Sequence, residues 1–154
     1  MNLLDRRGRV SPKDSKTHVR IPFQLIRSCG RLNIRLEYSP KTLDDREQTL
    51  ALLKRSFDLY LLPEQKERAA AQADQFMPLK NLITLSLDDP QGYRGACHRQ
   101  DAVQHVYVTD QKASPGLMPG KLESGPWQVT LSLHCIVTET CDYRLQIWTE
   151  EEPR

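Results

Sequence analysis

The sequence predicts a mainly β chain: an antiparallel β-sandwich, a class that includes the jelly roll, with an inserted helical segment. Three observations point there. Short runs carry apolar residues at every second position, stretches rich in Pro, Gly and Asp separate those runs, and repeated strand–helix units are absent. At 154 residues, with 38% apolar and 27% charged side chains, the chain suits one folded domain with a two-layer core.

The first stripe is Val19, Ile21, Phe23 and Leu25, whose two-residue spacing puts all four on one face of a strand. Leu32, Ile34, Leu36 and Tyr38 repeat the alternation until Ser39-Pro40. A hairpin and a crossover to a facing sheet both satisfy this pair, because alternation sets the apolar face and leaves pairing open. Ile83, Leu85 and Leu87 form a third stripe, ended by Asp88-Asp89-Pro90. Further on, Val103, His105 and Tyr107 alternate with Gln104, Val106 and Val108. Trp127, Val129, Leu131, Leu133 and Cys135 then follow at strict two-residue spacing. Tyr143, Leu145, Ile147 and Thr149 close the series, with Trp148 turned the other way. These runs predict six or seven strands, in an order the pattern does not reveal.

Between Asp44 and Phe76 the period changes. Asp44 and Glu47 suit a capped helix start, and Leu50, Leu53, Phe57 and Leu61 form one helical stripe expected to rest on the sandwich. Pro63 interrupts the run, and EQKERAAAQADQF supplies strong helix formers up to Met77-Pro78. With few large apolar anchors, this second helix is expected to cover the surface or project from it. The expected organisation is a flexible basic arm over 1–17, a sandwich over 18–149 with the helical insertion at 44–76, and a tail over 150–154.

Charge narrows the partners. The 22 basic and 20 acidic residues leave a formal charge of +2, so no nucleic-acid partner is expected. The excess of Arg6, Arg7, Arg9, Lys13, Lys16 and Arg20 over Asp5 and Asp14 reads as a solvated terminus. No apolar run approaches the roughly 20 residues that cross a bilayer, and MNLLDRRGRV lacks the apolar centre of a signal peptide. No membrane association and a cytoplasmic location are expected. Cys29, Cys97, Cys135 and Cys141 contain no CxxC pair, so reduced thiols are expected; in an oxidising compartment Cys135 and Cys141 are the pair to test.

Local patterns for chemistry are missing. His18, His98, His105 and His134 form no HExxH or HxH, and there is no GxSxG turn, phosphate loop or dinucleotide fingerprint. No catalytic residue, metal or cofactor is expected. DDPQGYRG reads as a capped turn built by Asp89, Pro90, Gly92 and Gly95, and SPGLMPG as a second turn region with Pro115, Gly116 and Gly120. Trp127, at the head of an alternating stripe, reads as a core aromatic. Tyr93, Arg94 and Trp148 are the candidate ligand-binding residues: flat rings hold the apolar face of a sugar, and a guanidinium meets polar or anionic groups.

DDPQGYRG, SPGLMPGKLESGPWQV and the terminal YRLQIW, taken in order, resemble the β-sandwich domain that precedes the metallohydrolase domain in CehA/McbA-like members of the PHP family. The resemblance covers most of residues 20–148 outside the helical segment. It rests on the order of the motifs, with Trp127 after Ser-Gly-Pro and before an alternating strand. In that family the attached domain carries the metal-binding histidines and aspartates, and none of those positions falls in this chain. The resemblance implies a non-catalytic structural or protein-interaction module, accessory to a PHP-like metal-dependent hydrolase, with the helical insertion as the natural contact. The alternative is a sandwich that binds a small ligand or carbohydrate.

Overall fold

The computed structural model describes residues 1–151. Its strands are β1 (Asn2–Val10), β2 (Thr17–Leu25), β3 (Arg31–Ser39), β4 (Thr42–Leu43), β5 (Leu79–Lys80), β6 (Leu82–Asp89), β7 (Gly92–Cys97), β8 (Val103–Thr109), β9 (Gly125–Cys135) and β10 (Cys141–Glu150). Its helices are α1 (Arg46–Tyr60) and α2 (Pro63–Ala71). The eight longer strands form two antiparallel sheets, ordered β1-β10-β3-β8 and β2-β9-β6-β7, while β4 and β5 make a separate ribbon.

Counted without β4 and β5, those orders are 1-8-3-6 and 2-7-4-5, the jelly-roll arrangement. The first long strand pairs with the last, the second with the next to last, and so inward to β6 and β7. The chain is thus one long antiparallel ribbon, folded back at the turn after Asp89 and rolled so that successive pairs fall in opposite sheets. The stripes at 19–25 and 32–38 belong to opposite sheets, so their connection is a crossover and not a hairpin.

Inward positions match the alternating stripes. Ile21 and Phe23 of β2, Ile34 and Leu36 of β3, Leu85 and Leu87 of β6, Val106 and Val108 of β8, Val129 and Leu131 of β9, and Leu145 and Ile147 of β10 are all buried in one continuous core. At roughly 1.5–3 kcal/mol for each large side chain withdrawn from water, this layer outweighs any single polar contact. The β9 stripe stops at Leu133, and Cys135 is exposed.

The first ten residues depart from the expected flexible arm. They form β1, an edge strand in register with β10 from Leu4 opposite Ile147 to Val10 opposite Cys141. Arg9 pairs with Asp142 at 2.7 Å and Arg144 with Asp5 at 2.8 Å, and these arginine hydrogen bonds hold both carboxyls below their ordinary pKa. The alternation is hidden in the sequence because Arg6 and Gly8 occupy positions opposite the buried Leu145 and Tyr143. At Gly8 a Cβ would overlap the Tyr143 ring, so a larger residue there requires that ring to move. The other unforeseen long strand, β7, has the composition of a turn. At the opposite terminus Glu150 ends β10, and residues 152–154 of the expected tail lie outside the described residues.

The helical segment leaves the sandwich after β3 and returns before β6. Asp45, one residue later than expected, caps α1 by accepting from the Gln48 amide at 3.0 Å, while Asp44 accepts from the Thr42 hydroxyl at 2.9 Å. The apolar stripe of α1 does not rest on the sandwich: Leu50, Leu53 and Phe57 face α2 across a groove, and Phe57 meets Phe76 edge-on at 5.8 Å. Asn81 holds the neck. Its amide nitrogen donates to the Pro40 carbonyl and the Thr138 hydroxyl, both at 2.8 Å, and its oxygen accepts from the Val137 amide at 2.7 Å.

At the opposite end, the β8–β9 connection is pressed onto β7. Gly95 (φ 124°) and Gly116 (φ 97°) approach so closely that a Cβ on Gly95 would overlap the Gly116 carbonyl oxygen. Backbone on both sides cannot yield. The variant Gly95→Ala is therefore expected to lose at least ~2 kcal/mol from backbone strain alone, read as a lower urea midpoint; an unchanged midpoint contradicts this packing.

Candidate functional site

Arg94 is buried at the tip of the rolled ribbon. Its Nη1 donates to Asp89 at 3.0 Å and to the Lys121 carbonyl at 3.2 Å, its Nε to the Met118 carbonyl at 2.8 Å, and its Nη2 to the Gly120 carbonyl at 2.7 Å. The guanidinium also lies 5.5 Å from the centre of the Trp127 ring. Asp89 uses its second oxygen to accept from the amides of Gln91 (2.7 Å) and Gly92 (3.0 Å). The turn residues Asp89, Pro90, Gly92 and Gly95 thus surround a clamp that holds the region of Pro115, Gly116 and Gly120. A cleft of about 230 Å³ beside it is lined by both charges of this pair and by Lys121 and Glu123. Sequence reading placed Arg94 among ligand contacts; four of its donor contacts are spent within the chain.

Trp127 lies in the core against Phe23, with ring centres 6.2 Å apart, and its indole N–H donates to the Glu123 carbonyl at 2.9 Å. Tyr93, by contrast, is exposed on β7, opposite Asp88. Trp148 projects from the outer face of the other sheet. The three candidate ligand residues therefore form no common site.

Trp148 instead joins residues that sequence spacing did not connect. Asn33 of β3 is in register with Trp148 on one side and Tyr107 on the other. The His105 and Trp148 rings are 5.3 Å apart, and the Arg31 guanidinium lies 4.0 Å over Tyr107. Beneath them, Asn33 is only 2% exposed; its oxygen accepts from Arg31 Nε at 3.0 Å and lies 3.3 Å from His105 Nε2, while its amide nitrogen has no partner. The sequence carries no signal for it, since Asn33 takes an outward place of the alternating strand just as Arg35 and Glu37 do.

The remaining histidines and the thiols are dispersed. His18 contacts the Ser132 hydroxyl at 3.1 Å and His134 the Thr84 hydroxyl at 2.8 Å on the outer face of the second sheet. Among the described residues no group of three or more His, Cys, Asp or Glu side chains comes together. All four cysteines are free, and burial pushes the thiol pKa of Cys97 and Cys141 up. Among the described residues no helix is long and apolar enough to cross a membrane.

The helical hairpin carries two grooves. One, of about 450 Å³, lies between Leu50, Leu53 and Phe57 of α1 and Ala70 of α2; the other, of about 410 Å³, lies between Tyr60, Leu61, Ala69 and Phe76. Near them Leu59, Tyr60 and Leu62 are 75%, 72% and 64% exposed.

No family model matches this chain, and no curated protein does. A crystal structure of a protein from Sulfurospirillum deleyianum is similar over 97% of this chain and 99% of that one, at 8% identity and a TM-score of 0.35.

Two outcomes test this description. Arg94→Met is expected to cost about 3–5 kcal/mol in urea denaturation because it strands the half-buried Asp89 carboxylate. Arg94→Lys should recover little, since one ammonium cannot reach the same fan of carbonyls; full recovery by Lys contradicts the clamp. Thiol labelling of the folded protein near neutral pH should be slow at Cys97 and Cys141, which are buried and held as thiols. Rapid labelling of either shows that the core opens there.

Proposed function

We propose that this chain is a non-catalytic protein-interaction module whose partner contact is the α1–α2 hairpin. One observation carries the reading: Leu59, Tyr60, Leu62 and Phe76 crowd solvent on a hairpin that projects from an otherwise closed sandwich. Large apolar groups gathered on a projecting element mark a surface built for association. The core below gains nothing from them, because the helices pack on each other and on β4. The resemblance of the sandwich motifs to those preceding PHP-like hydrolase domains nominates a metal-dependent hydrolase of that type as the partner. A reducing, cytoplasmic setting accords with the four free thiols.

A second reading, binding of a small ligand or carbohydrate, draws on the Trp148, Asn33, His105 and Tyr107 cluster on the sandwich face.

The doubly substituted Leu59→Asp/Tyr60→Asp chain tests the first reading. It should keep the wild-type melting temperature, since both side chains are exposed, and lose retention of a PHP-like hydrolase by at least tenfold in a quantitative pull-down, a change of about 1.4 kcal/mol. Equal retention by a folded double variant removes the hairpin from the contact, and absence of any retention by the wild-type chain removes the hydrolase as partner.

A further inference from the structure

We infer that the outer face of the β1-β10-β3-β8 sheet, around Asn33, is a binding site for a neutral oligosaccharide, with Trp148 and Tyr107 as its two stacking surfaces and Asn33 as its central hydrogen-bond donor. This deepens the second of the two readings above and does not depend on the hairpin.

Strand geometry sets the spacing. Trp148, Asn33 and Tyr107 are register partners on three adjacent strands, so the indole and the phenol stand two strand separations apart, roughly 10 Å. That distance suits alternate rings of an oligosaccharide, one on each aromatic with a third ring between them over Asn33. A pyranose offers an apolar face of C–H groups to a ring and hydroxyls around its rim to polar side chains.

The polar groups between the rings are mostly donors. Asn33 has an amide nitrogen with both hydrogens unused, and Arg31 has guanidinium N–H groups beyond the Nε that bonds Asn33. An unpaired buried donor costs about 1–3 kcal/mol, and a hydroxyl oxygen brought between the two rings removes that cost. In the free protein the exposed His105 ring covers Asn33 and lies beside Trp148, and the Arg31 guanidinium lies over Tyr107, so a ligand displaces side chains and not a strand.

Charge favours a neutral ligand. The positive charge of Arg31 is paired with Glu150 at 3.8 Å, so Arg31 is not a free cation waiting for a phosphate or a carboxylate. The platform is also held in place: the Tyr107 amide donates to the Ser114 hydroxyl at 2.9 Å, and the Ser114 amide donates to the Tyr107 carbonyl at 3.0 Å. Edge strand β8 is therefore strapped before any ligand arrives.

The test is amide NMR and calorimetric titration of the full chain with neutral tetra- and hexasaccharides of β-1,4- and α-1,4-linked sugars at millimolar concentration. The expected result is saturable shifts confined to residues 31–35, 103–109 and 146–149 with at least one of these sugars. Trp148→Ala and Tyr107→Ala should each weaken binding about tenfold. Asn33→Asp preserves the oxygen that Arg31 and His105 contact while removing the donor, so it should keep the fold and weaken binding at least tenfold. The Leu59→Asp/Tyr60→Asp chain should bind the sugar unchanged, which separates this site from the hairpin. The inference is overturned if no sugar shifts these residues, if folded Asn33→Asp binds as tightly as wild type, or if a proline-rich peptide occupies the face where sugars do not.

Discussion

The ion pair of half-buried Asp89 with buried Arg94 ties together the parts of the chain that the rolled topology brings to one end. Removing a carboxylate and a guanidinium from water costs several kcal/mol per ion. That cost is offset only because Asp89 also accepts two backbone amides and Arg94 also donates to three carbonyls. The carbonyls belong to Met118, Gly120 and Lys121, so the ribbon's turn and the long β8–β9 connection are held as one piece. Trp127 lies against the same guanidinium and carries the constraint into the core. At the other end Asn81 acts similarly with a neutral amide, fastening the neck of the helical segment to the β9–β10 connection.

With both ends fastened, the sandwich is closed. Its two sheets meet through a continuous layer of aliphatic and aromatic side chains, and what remains for binding lies outside that layer. The hairpin concentrates exposed apolar side chains away from the sheets. The outer face near Trp148 concentrates flat rings and donors on three rigid strands. These surfaces differ in chemistry and lie on different elements, so the two proposed contacts need not compete.

Much of the framework was legible because a strand turns successive side chains to opposite faces. The stripes at 19–25, 32–38, 83–87 and 127–133 mark inward positions directly, and the change of period after Asp44 marks the helices. Two long strands escaped for identifiable reasons. In β1, Arg6 and Gly8 stand where an apolar pattern would place large hydrophobes, and Gly8 yields its space to Tyr143. In β7, the glycines that permit close backbone approach to Gly116 also give the strand the composition of a turn. The partners of Arg94 are not legible in the sequence, because the carbonyls it serves lie 24 to 27 residues further along the chain.

The residue pattern alone marks the inward face of most long strands and the place where helices interrupt them, because these follow from local periodicity. Strand order, the alliance of Asn33 with Trp148, Tyr107 and His105, and the clamp around Arg94 arise only when the ribbon rolls. Each joins residues from separate strands, and no spacing along a chain encodes which distant neighbours a strand will meet.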